Sequence, residues 1–104
     1  MTHPTLSLDE VVHQRVRLGI LSILAEEQQA DFSYLRTTLG LTDGNLSGHL
    51  RVLEDAGYVR IAKLFENRRP RTRVTRTASG LEAFDAELAA LQKLFARLDF
   101  VELG

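Results

Sequence analysis

The chain has 104 residues, enough for one domain with one compact core. Hydrophobic residues make up 44% and charged residues 26%, the balance of a soluble globular protein, and the absence of Cys excludes disulfides, thiolate metal sites and cysteine nucleophiles. Thirteen Lys and Arg face 14 Asp and Glu, and the resulting net charge of −1, taken whole, argues against a strongly basic nucleic-acid binder.

Near the N-terminus, Ser7-Leu8-Asp9-Glu10 fits a capping box with Ser7 as N-cap. Val12, Val16, Ile20, Ile23 and Leu24 recur at helical spacing and predict a first helix over 8–26. Val11, Leu18 and Leu21 lie off that stripe, so the helix is apolar on several sides, as a central or shared helix is. Asp31 is placed to cap a short second helix over 31–39, carrying Phe32, Leu35 and Leu39. Gly40 is suited to end it, because Gly accepts the left-handed conformation. Thr42 is an N-cap for a third helix over 42–56, with Leu46, Leu50 and Leu53 at i, i+4 and i+7. Asp43-Gly44 is by itself a hairpin signal, but no strand alternation flanks it.

Tyr58–Phe65 and Thr72–Thr77 are β-prone runs joined by Glu66–Arg71, in which Asn67 and Pro70 favour a turn. Residues 58–77 therefore read as a hairpin with an arginine-rich tip. Thr77 then caps a last helix over 78–102. In it Leu81, Phe84, Leu88, Leu91, Phe95 and Leu98 alternate steps of three and four, nearly a heptad. Ala83, Ala90, Leu94 and Val101 widen that face beyond what docking on a small domain needs. A homodimer interface is expected, formed by Val11 and Leu18 of the first helix with Leu88, Leu91, Leu94, Phe95, Leu98 and Val101 of the last.

The charge is unevenly placed. Residues 1–35 carry Arg15 and Arg17 against Asp9, Glu10, Glu26, Glu27 and Asp31, a balance of −3. Residues 36–76 carry nine Lys and Arg against Asp43, Glu54, Asp55 and Glu66, a balance of +5. Residues 77–104 return to −3. Within 67–76 stand Arg68, Arg69, Arg71, Arg73 and Arg76, five Arg and no acid. A phosphate backbone responds to a concentrated patch more than to the total.

The order helix, helix, tight turn, helix, basic hairpin, helix is that of a winged helix-turn-helix, mainly α with a small β-hairpin (an α+β fold) and a long C-terminal dimerisation helix. Such a unit sets one helix in the DNA major groove. With Leu46, Leu50 and Leu53 inward, the third helix turns Gly44, Asn45, Gly48, Arg51 and Asp55 outward, with Ser47 and His49 on its flanks. Asn and Arg make bidentate contacts to base edges, and Ser and His add single hydrogen bonds. Gly44 and Gly48 allow close approach. Thr42, Asn45, Ser47, Gly48, His49 and Arg51 are the expected reading residues. Lys63, Arg68, Arg69, Arg71 and Arg73 are expected at backbone or minor groove.

Thr42-Asp43-Gly44-Asn45-Leu46-Ser47-Gly48-His49-Leu50, followed by Leu53-Glu54-Asp55-Ala56-Gly57-Tyr58-Val59, resembles the recognition-helix signature of small winged-helix regulators in the MarR/ArsR superfamily. The wing run Asn67–Thr72, the run Thr75–Gly80 and Arg17-Leu18-Gly19-Ile20-Leu21 are also similar to a short subgroup of that superfamily. The resemblance covers roughly 8–98. It implies a homodimeric, DNA-binding transcriptional regulator, with Asn45, Ser47 and His49 at double-stranded DNA and the Arg-rich wing beside them.

Metal sensing of the ArsR type is not expected, since there is no Cys and His3, His13 and His49 are scattered. No cofactor is expected. A private ligand domain after the last helix is not expected either; a crevice at the dimer seam is the place left for a small-molecule effector. No GxGxxG, P-loop, HExxH or GxSxG is present, and Ser47 and His49, two apart on a helix, do not face each other, so an enzyme is not expected. A winged-helix module for protein contact or dimerisation alone is the alternative, and five uncompensated Arg argue against it. With no apolar run near 18 residues, and no signal features in Met1–Thr5, no membrane span and a cytoplasmic location are expected.

Overall fold

A computed structural model of the chain describes residues 3, 5 and 8–103, with side chains through Leu98. The predicted first helix is two: α1 (Glu10–His13) and α2 (Arg15–Glu27). Gln14 separates them in an extended conformation, φ −64° and ψ 133°. Its amide oxygen accepts the N–H groups of Val16 and Arg17 at 2.8 and 3.0 Å, so it starts a new helix where periodicity alone saw a continuous one. Asp9 caps α1, its Oδ1 accepting from Val11 and Val12 at 2.8 and 3.3 Å. The expected cap, Ser7, lies outside the described residues.

A three-residue strand, β1 (Gln29–Asp31), precedes α3 (Phe32–Leu39); it is too short to leave a periodic trace in the sequence. Asp31 stands at the N-cap of α3 but makes no capping hydrogen bond, because its carboxylate is turned to the wing arginines. Gly40 ends α3 with φ 65°, and the N–H of Leu41 closes back on the Arg36 carbonyl at 2.9 Å. Thr42 caps α4 (Asp43–Asp55), Oγ1 accepting from Asn45 N–H at 3.1 Å. Gly57, φ 81°, turns the chain out of α4, with Tyr58 N–H bonded to the Leu53 carbonyl at 2.9 Å.

The wing is β2 (Val59–Glu66) and β3 (Arg69–Arg76), and the antiparallel sheet runs β1-β3-β2. Asn67 and Arg68 form the two-residue turn, both with positive φ (50° and 65°), as the twist of a tight hairpin requires. Pro70, expected in the turn, sits in β3 opposite Phe65. The core gathers Ile20, Leu21 and Leu24 of α2, Leu35 of α3, Leu46, Leu50 and Leu53 of α4, and Val59 and Val74 of the wing.

Thr77 caps α5 (Ala78–Leu103), accepting from Gly80 N–H at 3.0 Å. The stripe that α5 buries is Phe84, Glu87 and Ala90. Leu88, Phe95 and Leu98, which the heptad reading set on the same face as Phe84, are exposed, Phe95 by 59% and Leu98 by 52%. At a rise of ~1.5 Å per residue a 26-residue helix spans about 39 Å. It gives the molecule extents of 61 × 24 × 22 Å and a radius of gyration of 16.0 Å, against about 13 Å for a compact chain of this length. No helix is long and apolar enough to cross a membrane among the described residues.

Candidate nucleic-acid interface

α4 presents the polar face that its leucine spacing implies. Asn45, Ser47, Gly48 and Arg51 are exposed, while Leu46, Leu50 and Leu53 on the opposite side are buried. A side chain at Gly44 or Gly48 would meet nothing within 4 Å, so the backbone is bare there. A surface cleft of about 520 Å³ separates α4 from the wing. Asp43, Ser47, Arg51 and Glu54 line it from α4, Ile61 and Lys63 from β2, and Phe32 from α3. Ser47, Arg51 and Lys63, distant in sequence, thus share one concave surface. Arg36 braces the turn before α4 by pairing with Asp43 at 2.7 Å.

The wing arginines fall into two groups. Arg68 and Arg69 are exposed, and neither has an ion-pair partner among the described residues. Arg71 and Arg73 are compensated, which corrects the expectation of five free Arg. Arg71 pairs with Asp31 at 2.7 Å, and Arg73 with Glu66 at 3.2 Å and with Asp31 at 3.6 Å. Arg76 donates to the carbonyls of Leu24 and Ala25 at 2.6 and 3.3 Å, closing the C-terminal end of α2. Glu66 sits at the edge of the run and Asp31 lies 40 residues before Arg71, so a count within the run missed them. Phe65, 72% exposed and level with Pro70, stands near the tip.

His49 is half-buried, and its Nδ1 lies 3.3 Å from Arg17 Nη1. Burial, and then the Arg17 charge, hold its pKa below the ordinary histidine value. Arg17 also donates to the Val11 carbonyl at 2.6 Å and the Glu10 carbonyl at 3.3 Å, tying α1 to α4. Nothing in its spacing marked Arg17 for this role.

On the far side, Glu87 is only 1% exposed. Its Oε1 accepts Asp9 N–H at 3.0 Å, and its Oε2 lies 2.6 Å from His13 Nδ1, so α5 holds the start of α1. Asp9 Oδ2 accepts the Tyr58 hydroxyl at 3.1 Å. Burial, followed by that hydrogen bond and the Asp9 charge, raises the Tyr58 pKa. Of the expected dimer residues, Leu88, Phe95 and Leu98 are exposed and Leu91 and Leu94 half-buried. Val11 and Leu18 pack against this chain's own core. The side chain of Val101 lies outside the described residues.

Residues 16–95 match the winged helix DNA-binding domain family. The chain belongs to that family. A 75-residue stretch is 37% identical to an uncharacterized protein of Methanocaldococcus jannaschii, covering 72% of this chain and 82% of that one. The fold matches the transcriptional regulator homologue from Pyrococcus horikoshii OT3 with a TM-score of 0.88 and 36% identity, over 95% of this chain and 99% of that one. It also matches a protein of Enterococcus faecalis V583 described as a regulator of the MarR family, with a TM-score of 0.71 and 26% identity, over 91% and 86% of the two chains. The winged helix thus resembles that of a MarR-family regulator, in line with the recognition-helix resemblance.

Proposed function

We propose that this winged-helix protein is a sequence-specific transcriptional regulator that grips duplex DNA as a homodimer. The observation that carries the reading is the pairing of surfaces: the polar face of α4, bare at Gly44 and Gly48, lies across a cleft from a wing whose tip carries the exposed Arg68 and Arg69. α4 enters the major groove, where Asn45, Ser47, His49 and Arg51 read base edges and Thr42 caps the helix at the groove. Lys63, Arg68 and Arg69 hold phosphates or the adjacent minor groove. Arg71 and Arg73 brace the wing by pairing with Asp31 of β1 and Glu66 of β2. α5 supplies the dimer contact through Leu88, Leu91, Leu94, Phe95 and Leu98, and two-fold symmetry then sets two half-sites about one helical turn apart, ~34–36 Å. The acidic flanks keep the rest of the dimer off the duplex.

Selection of bound sequences from a random duplex pool tests the reading. The expected product is a pseudo-palindrome with that spacing. On the selected site, log affinity falls linearly with log salt, and Arg68→Ala with Arg69→Ala reduces the slope by roughly one unit for each phosphate these arginines neutralise. A pool without an enriched motif sinks sequence-specific binding; an unchanged slope removes the tip from the interface.

A further inference from the structure

Arginine carries five N–H donors and no acceptor. Wherever its guanidinium bonds a histidine nitrogen, that nitrogen contributes its lone pair. Arg17 Nη1 and His49 Nδ1 stand 3.3 Å apart, so Nδ1 accepts and carries no proton. The proton of the neutral ring is then on Nε2. No buried side-chain nitrogen or oxygen among the described residues lacks a hydrogen-bond partner. Nε2 has no partner among them, and it therefore reaches the surface of α4, one position beyond the bare backbone at Gly48.

We infer that Arg17 is a positioning residue for recognition: through its bond to Nδ1 it fixes His49 as an Nε2–H donor, so that His49 selects a proton-free acceptor on the DNA. The inference rests on the DNA-binding reading above. An acceptor of that kind is a purine N7, a guanine O6 or a thymine O4 on a base edge, or a phosphate oxygen. A base-edge donor of cytosine or adenine is rejected, since two donors would face each other. The same guanidinium holds the carbonyls of Val11 and Glu10. α1 is in turn seated on Glu87 of α5 through Asp9 and His13. The ring setting at the recognition helix is thus bolted to the helix that carries the exposed apolar stripe. The lowered pKa of His49 agrees with a ring kept neutral beside a cation.

The test begins with the free protein. Nitrogen-15 spectra of its three histidines, with His49 identified by the signal that disappears in His49→Gln, report which ring nitrogen bears the proton. A protonated Nε2 and a bare Nδ1 are expected; a proton on Nδ1 overturns the inference. In Arg17→Met, which keeps the length of the stem and removes the donors, the ring should become a mixture of tautomers and titrate closer to ordinary histidine. A folded variant with an unchanged ring overturns the assignment to Arg17. Should that variant fail to fold, the wild-type spectrum and the position-49 variants still decide.

On DNA, His49→Ala is expected to weaken affinity about five- to tenfold, the range for one hydrogen bond, while His49→Gln, whose amide can donate from a similar place, stays within about threefold. Probes carrying, one at a time, a 7-deazapurine, a guanine analogue without O6 or a thymine analogue without O4 identify a base-edge acceptor, and methylphosphonate probes a backbone one. The position at which the probe and His49→Ala are not additive names the partner. Wild-type affinity in His49→Ala, with duplex binding intact, overturns the contact. A wild type that binds no duplex overturns the DNA-binding reading and the contact with it, while the ring spectrum still decides the tautomer.

Discussion

Gly80 and the two glycines of α4 are all helical, and only their surroundings separate them. A Cβ at Gly80 would run into the backbone carbonyl of Tyr58, where the first turn of α5 crosses the start of the wing. That carbonyl also receives Thr77 N–H at 3.1 Å, so it has little freedom to retreat. Gly80→Ala should therefore destabilise the fold by about 1–3 kcal/mol, the range for overpacking that forces a backbone shift. Urea unfolding checks it, and a wild-type midpoint would show that the crossing yields. Glu87 is a second residue whose role lay hidden. Its spacing from Phe84 and Ala90 put it on the buried stripe, but a charged side chain in a helix is by default a solvated one. Its burial becomes intelligible only when Asp9 and His13 arrive from 78 and 74 residues away.

Within α4, Gly44 and Gly48 should have the opposite behaviour. Glycine inside a helix costs about 0.5–1 kcal/mol relative to Ala, and at both positions a methyl group has open space. Gly48→Ala is expected to raise the urea midpoint while weakening duplex binding severalfold, because the methyl group would stand between the backbone and the DNA. Greater stability with unchanged affinity would mean that α4 does not approach DNA at this point. The leucine ladder of α4, its Thr42 cap and the Gly40 stop were legible because each depends on near neighbours. The break at Gln14 was not, because the residues around it continue the helical period and a glutamine amide serves a helix interior as readily as a cap. The division of labour in the wing escaped for another reason. Asp31 compensates Arg71 and Arg73 from across the sheet, and β1, which places it there, is only three residues long.

As a whole, the molecule is longer than its core requires, since α5 runs on past Ala90, the last residue it buries among those described, with Phe95 and Leu98 uncovered. Phe95→Glu combined with Leu98→Glu should convert a dimer to a folded monomer and weaken duplex binding, both changes lying beyond the part of α5 that packs on α1 and α2. Sedimentation velocity at micromolar concentration reads the outcome; a wild type that is monomeric, alone and on DNA, would defeat the two-fold reading. The uneven charge of the chain has its meaning at this scale too. A net charge of −1 conceals a middle segment of +5, and folding brings one further acid, Asp31, onto it from outside the segment. Arg36, Arg71 and Arg73 are paired, Arg76 holds two carbonyls, Arg51, Lys63, Arg68 and Arg69 stay exposed around the cleft and the tip, and Arg60 is exposed on β2.

By itself the sequence determined the helix-turn-helix and the wing. It also determined which face of α4 is polar, because periodicity, caps and turns are short-range properties written in adjacent residues. Only the tertiary structure decided which charges stay free, which helical glycine lies against a backbone carbonyl, and that Arg17 faces His49. Those depend on groups brought together from distant parts of the chain, and a pairing across 32 residues or more leaves no period to read.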